Sequence, residues 1–321
     1  MSDARALIFE IIAGAELFSG LLVNAFISAV NLHDWWINRK LKPYDKIVVH
    51  LGFCRIFLSF CVLFRILNRL FELNAYLGSA QRCVFRVFQL ALDYASLWFG
   101  MWLCTLYYIK IVIFKCRLLV WVKLSIPQLV LPIVFTTYVL SLFFGFLFSY
   151  VIRETSDVMD AVYLPVNKSV DGNLSYMIPS YFFGHFLPFI LVSISTSLLI
   201  HAICHHIRHI KNNSNSFKSP RLDAHLAAIR SAVLLQLVTT LNLVATIFFR
   251  FDFYGQFETN MSFLFIASFP TLHSMVVIAC NSKLKRALWR ALPCLKGHVT
   301  VEKSSASQQT ESKRETVRKQ K

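Results

Sequence analysis

Residues 260–281 read NMSFLFIASFPTLHSMVVIACN, a stretch without a single Asp, Glu, Lys or Arg, and SKLKRALWR follows at once over 282–290. Crossing the hydrocarbon core of a bilayer takes about 20 predominantly apolar helical residues, so this stretch is long enough to span. The basic residues behind it, Lys283, Lys285, Arg286 and Arg290, hold its end at a water-facing surface.

Working outward from that run, six more segments meet the same length criterion, at about 6–31, 47–70, 83–114, 124–150, 179–204 and 229–251. Each is expected to be a helix, because an open strand in lipid would leave backbone N–H and C=O groups unpaired. The third is long enough to tilt or to project beyond the bilayer. Met1 to Arg5 lacks the basic start of a secretory signal and runs straight into a segment of spanning length, so that segment is the first span. The expectation is an all-α membrane protein, a bundle of seven transmembrane helices.

Composition agrees. The 321 residues are 56% hydrophobic and only 16% charged, with a mean hydropathy of +0.56. A water-soluble chain of this length needs far more polar surface. The net charge of +16 is not a nucleic-acid-binding face, because the basic residues alternate from one connection to the next. Arg39, Lys40, Lys42 and Lys46 lie between spans 1 and 2. Lys115, Arg117 and Lys123 lie between spans 3 and 4, and Arg208, Lys211, Lys218 and Arg221 between spans 5 and 6. The connection between spans 4 and 5 instead carries Glu154, Asp157, Asp160 and Asp171, and that between 6 and 7 carries Asp252 and Glu258. Basic connections stay in the cytoplasm, which puts the N-terminus outside and the C-terminus inside. The expected location of such a multi-pass protein is the plasma membrane. Two glycosylation sequons, at Asn167 and Asn173, fall in the expected outside loop, whereas the one at Asn212 falls inside and is expected to stay unmodified.

The eight cysteines match no zinc or redox spacing and read as small buried hydrophobes. There is no nucleophile–base pair, acid pair, phosphate loop or metal cluster, so neither enzyme activity nor a cofactor is expected. No internal repeat points to a solenoid or to a transporter's two halves. Polar residues within the spans are too few to line an ion path.

Those that are there are costly in lipid and therefore informative. Asn24 lies midway along span 1 and Arg55 within span 2. Span 3 ends Leu106-Tyr107-Tyr108-Ile109-Lys110, span 6 opens Asp223-Ala224-His225, and span 7 closes His273-Ser274 and then Asn281-Ser-Lys-Leu-Lys285. Taken in order, these elements resemble the bitter taste receptors (taste receptor type 2), over about residues 7–292. Leu187-Pro188-Phe189 also looks like that family's span 5. The rhodopsin-like signatures are absent: span 2 has no acid, Tyr108-Ile109-Lys110 stands where Asp-Arg-Tyr would, and span 6 has no proline. The 151–178 loop has no cysteine to pair with Cys83 at the start of span 3. The chain also departs from the family in its long, charged tail after Pro293, which reads as disordered over 293–321, beyond a receptor domain of 1–292.

The resemblance implies a G-protein-coupled chemoreceptor that takes small bitter molecules in a cleft between the outer halves of the helices and activates a gustducin-like heterotrimeric G protein. It carries ligand contact over to Arg65, Gln89, Asp93, Asn242 and Phe263. Independently, Arg86, Gln89, Asp93, Ser96 and Gly100 follow steps of 3, 4, 3 and 4, one stripe of a helix that should face the bundle interior. Two readings of Asp93 stand open, a contact for a cationic ligand or an internal pair with Arg65 or Arg86. Glu10 reads as interfacial and Glu16 as facing the bundle. By the same resemblance, Arg55 finds acceptors near Asn24 and Ser274, and with His273 these form a switching network. Tyr107, Tyr108, Lys110, His205, His206, His225 and Arg230 are expected to face the G protein. The segment from Lys283 is basic and amphipathic, expected to lie on membrane lipid, with Cys294 beyond it as a palmitoylation candidate. Two rival readings are another chemosensory receptor of this architecture, such as a type 1 vomeronasal receptor, and a transporter or channel.

Overall fold

The computed structural model describes residues 2–71, 79–111, 117–155, 174–213, 220–251 and 256–291, and among them there is no strand. The helices are α1 (Ser2–Asn38), α2 (Pro43–Leu70), α3 (Ser79–Ile111), α4 (Arg117–Thr155), α5 (Leu174–Tyr181), α6 (Leu187–Asn213), α7 (Pro220–Phe251), α8 (Gln256–Cys280) and α9 (Ser282–Ala291). Seven stretches within them are long and apolar enough to cross a membrane: 7–38, 43–68, 80–109, 120–149, 178–205, 229–248 and 263–280. Packing divides the chain into a first unit, Met1–Val277, and a second, Ile278–Lys321, whose described part is the end of α8 and the amphipathic α9.

The helices overrun the expected spans. α1 continues to Asn38 rather than stopping near 31, α3 begins at Ser79 rather than 83, and α4 begins at Arg117 rather than 124. Hydropathy marks only what must avoid water, whereas helical hydrogen bonding continues into the charged residues beyond. The turn after α1 is closed by Arg39, which adopts a left-handed φ of 52° and donates its N–H to the Trp35 carbonyl at 2.7 Å. Its guanidinium lies over the Trp36 ring, 4.9 Å from the centroid.

The larger difference is at the fifth span, which is not one regular helix. Between α5 and α6, Phe182–Phe186 form a π-helical turn, in which the Leu187 N–H donates to the Phe182 carbonyl five residues back. Pro188 supplies a reason: it has no N–H for the residue 184 carbonyl, and its ring crowds that carbonyl. The wider turn buries Gly184 and His185. A Cβ at 184 would overlap the ring of Tyr94 on α3, so only glycine lets the two helices approach this closely. Gly145 of α4 plays the same part against the α3 backbone, where a Cβ would sit 3.1 Å from the Val87 carbonyl oxygen.

Polarity is inverted relative to a soluble protein. Leu124, Leu131 and Phe135 on α4 are 75%, 74% and 69% exposed, while Asn24, Arg55, Gln89, Ser96, His273 and Ser274 are buried. In water that outer surface would be an aggregation liability, whereas in lipid it is the solvated face. α2 and α3 form the centre, with 61% of each spanning window buried against 28% for α4. Side-chain hydrogen bonds tie the ring of helices to α3. The Trp102 indole donates to Thr137 Oγ1 of α4 at 3.2 Å, the Trp98 indole to the Phe183 carbonyl at 3.2 Å, and the Thr105 and Ser195 hydroxyls meet at 3.2 Å. Such bonds between helices are worth about 0.6–2 kcal/mol each in a membrane.

Candidate ligand cavity and the arginine cluster beside it

The stripe on α3 meets α1, α2, α7, α8 and the π-helical turn around a cavity of about 40 Å³. Gln89, Asp93, Asn242 and Phe263 all line it, four of the five residues expected to contact ligand, together with Ser96, His185 and Phe269. The fifth, Arg65, packs on the wall, its guanidinium 5.6 Å from the Phe263 ring centroid. A second cavity of about 20 Å³ shares Ser96, His185, Asn242 and Phe269 with the first and extends along α3 past Gly100 to Cys104. Of the α3 stripe, Gln89, Asp93, Ser96 and Gly100 thus line one cavity or the other, and Arg86 lines neither.

Asp93 is about a third exposed, and its Oδ2 lies 3.8 Å from His185 Nε2. The sequence offers Arg65 and Arg86 as partners of Asp93 and does not point to His185. Nothing in the local sequence advertises His185; only the Gly184 and Pro188 around it hint that the backbone there is irregular. The π-helical turn carries this imidazole into the bundle, edge-on to Tyr94 (5.3 Å between ring centroids). On the same π-helical turn, Phe183 stacks on Phe144 at 3.9 Å and lies against Trp98 at 5.0 Å.

Behind Ser96 lies a fully buried polar cluster. Arg55 is fully buried, and its Nε donates to Ser96 Oγ at 3.1 Å. Its Nη1 donates to the Pro270 carbonyl at 3.3 Å, to His273 Nδ1 at 3.1 Å and to Ser274 Oγ at 2.7 Å. A guanidinium can only donate, so Nδ1 of His273 is the accepting ring nitrogen. Ser274 in turn donates to Asn24 Oδ1 at 2.7 Å, and Asn24 Nδ2 donates to the Gly20 carbonyl at 2.8 Å. One chain of hydrogen bonds therefore joins α1, α2, α3 and α8, and brings together Asn24, Arg55, His273 and Ser274. Pro270 takes part through its backbone carbonyl, which no side-chain reading of the sequence identifies. Toward the start of α1, a second link joins α1 to α8: Ser268 Oγ donates to Glu16 Oε2 at 2.8 Å. Glu16 is half-buried, and so is Glu10.

At the other end of α3, Tyr107 packs edge-on against Tyr44 of α2, with centroids 4.6 Å apart. Tyr108 packs on the apolar cluster of Leu199, Ile203 and Ala232 from α6 and α7. Arg230 and His205 are exposed. The side chains of Lys110, His206 and His225 fall outside the described residues, as do Asn167, Asn173, Cys294 and the tail.

Known proteins resolve which architecture this is. The family model described as taste receptor protein (TAS2R) matches residues 1–296. Taste receptor type 2 member 39 of Macaca mulatta is 27% identical over 290 residues, covering 87% of this chain and 84% of that one. Taste receptor type 2 member 7 of Pongo pygmaeus is 26% identical over 313 residues, and member 9 of Pan troglodytes 27% over 314; each alignment covers 92% of this chain and 97% of the relative. These relatives are receptors, not enzymes, and the match runs through every described helix. The chain belongs to the bitter taste receptor family, the type 2 taste receptors, and is a multi-pass G-protein-coupled receptor of the membrane.

Proposed function

We propose that this receptor binds small bitter molecules in the cavity bounded by α1, α2, α3, α7 and α8 and passes the signal to a gustducin-like G protein at the opposite end of the bundle. The observation that carries the reading is the convergence of Gln89, Asp93, Asn242 and Phe263 on one cavity wall, with Ser96 on the same wall hydrogen-bonded to the Arg55 cluster. A ligand that displaces Ser96 or Phe269 disturbs Arg55 directly, and Arg55 holds α1, α2, α3 and α8 together. Two arrangements of that cluster, differing in which acceptors Arg55 serves, supply the two states that an agonist chooses between. The receptor sits in the plasma membrane, and its cavity end is outside because the basic connections gather at the far end. There Tyr107, Tyr108, Lys110, His206, His225 and Arg230 face the G protein. Asn167 and Asn173 carry glycans in the outer loop, and Cys294 in the tail carries palmitate.

Asp93 and His185 make the cavity polar, suited to agonists with a basic nitrogen or several hydrogen-bonding groups. The test is expression with a promiscuous G protein, a calcium readout and a panel of chemically diverse bitter compounds. At least one compound should give a saturable response that is lost without the G protein. Gln89→Ala should then shift its potency without changing surface expression. A potency unchanged in Gln89→Ala, Asn242→Ala and Asp93→Asn alike would place the agonist elsewhere. Solute flux through liposomes in the absence of any G protein would favour the transporter reading instead.

A further inference from the structure

Arg55 presents a charge problem that its hydrogen bonds do not solve. The residue has no exposed surface, and every partner it has is neutral: Ser96, the Pro270 carbonyl, His273 and Ser274. Among the described residues no carboxylate lies within ion-pair distance of it, and Asp93, one helical turn before Ser96, faces His185. The Phe269 ring sits 5.6 Å from the guanidinium carbon, and its π face eases the charge without cancelling it. Guanidinium does not shed its proton in proteins, so neutralisation by deprotonation is closed to it. One nitrogen, Nη2, is buried and has no hydrogen-bond partner among the described residues. A buried cation with a spare pair of N–H donors and no counter-charge is among the most costly arrangements a bundle can hold.

We infer that Arg55 Nη2 holds a small monovalent anion, a chloride-sized ion, within the bundle beside the ligand cavity. The surroundings suit an anion better than a water. Donors outnumber acceptors: the guanidinium commits Nε and Nη1 and leaves both Nη2 hydrogens, whereas the Ser274 hydroxyl proton is already given to Asn24. A water would satisfy the geometry but leave the net charge in place. Among the described residues a carboxylate is not on hand, and the route for an ion is the cavity wall itself, since Ser96, Phe269 and Pro270 surround Arg55 and also line the cavity. The anion completes the cluster that joins α1, α2, α3 and α8, so its binding stabilises the folded bundle whether or not an agonist is present. This goes beyond the ligand reading and stands or falls separately from it.

The experiment is thermal unfolding of the purified full-length receptor in detergent, with sodium chloride exchanged for sodium gluconate at fixed ionic strength. Ligand linkage predicts a saturable rise in Tm with chloride of about 3 °C or more, which bromide reproduces and gluconate does not. Ser96→Asp supplies a carboxylate at the atom that accepts from Arg55 Nε, and so provides the missing charge internally. In that variant the chloride-dependent rise should disappear and the Tm in gluconate should match or exceed that of the parent chain. Asn24→Asp, which puts the carboxylate on the far side of Ser274, is the second variant if Ser96→Asp does not yield folded protein. A Tm indifferent to chloride in the parent chain would mean that water, not an anion, meets Nη2. A chloride response that persists unchanged in both carboxylate variants would place the ion elsewhere. Either result overturns the assignment.

Discussion

The two polar clusters of the bundle lie side by side, share Ser96, and are built in opposite ways. Around Arg55 every group but one has its partner at 2.7–3.3 Å, drawn from four helices, and all of the side chains are buried. Around Asp93 the geometry is looser. The carboxylate is a third exposed, the imidazole facing it is 3.8 Å away, and the groups border open volume. Tight, many-partnered polar clusters fix a single arrangement and are costly to disturb, while loosely held groups beside a cavity remain available to an incoming molecule. The contrast separates a region that sets the state of the helices from one that meets the ligand.

That contrast breaks most visibly at its tight end. Arg55→Ala leaves Ser96, the Pro270 carbonyl and His273 without their donor and opens a void, at a cost of about 4 kcal/mol. Surface expression and Tm should both fall sharply, and a variant that reached the surface and signalled normally would end the network account. Next in size is Asp93→Asn, expected to weaken agonists bearing a cationic group by about 10- to 100-fold while sparing neutral ones, as read from dose–response curves. If cationic agonists keep their potency, the carboxylate serves an internal partner instead. Asn242→Ala removes a neutral hydrogen-bonding group from the cavity wall and should shift potency by about 5- to 10-fold, with expression unchanged. Smallest is Leu131→Ala on the outward face of α4, which touches neither cluster and should move Tm by the equivalent of about 0.5 kcal/mol or less.

Much of the fold could be read from the chain because lipid burial leaves so few options. Seven predominantly apolar runs of spanning length have to be helices, and the α3 stripe at helical spacing has to face the interior, where Gln89, Asp93, Ser96 and Gly100 in fact line the cavities. What hydropathy could not give was anything set by backbone irregularity or by partners distant in sequence. The π-helical turn at Phe182–Phe186 and the entry of His185 depend on Pro188, Gly184 and the ring of Tyr94 acting together. The share of Arg55 taken by Pro270 is invisible for a simpler reason, since a main-chain carbonyl leaves no mark on residue identity. The C-terminal end of α1 and the start of α4 lie beyond the reach of hydropathy, because residues outside the hydrocarbon keep the helical conformation.

The claim on which the rest depends is that agonist occupies the cavity lined by Asn242, and cysteine accessibility tests it most directly. Asn242→Cys, labelled with a small thiol-reactive cation and compared with the parent chain, should be modified at least about tenfold more slowly at saturating agonist than without it, while Leu131→Cys on the lipid face is unaffected by agonist. Equal rates at residue 242 with and without agonist would contradict the account.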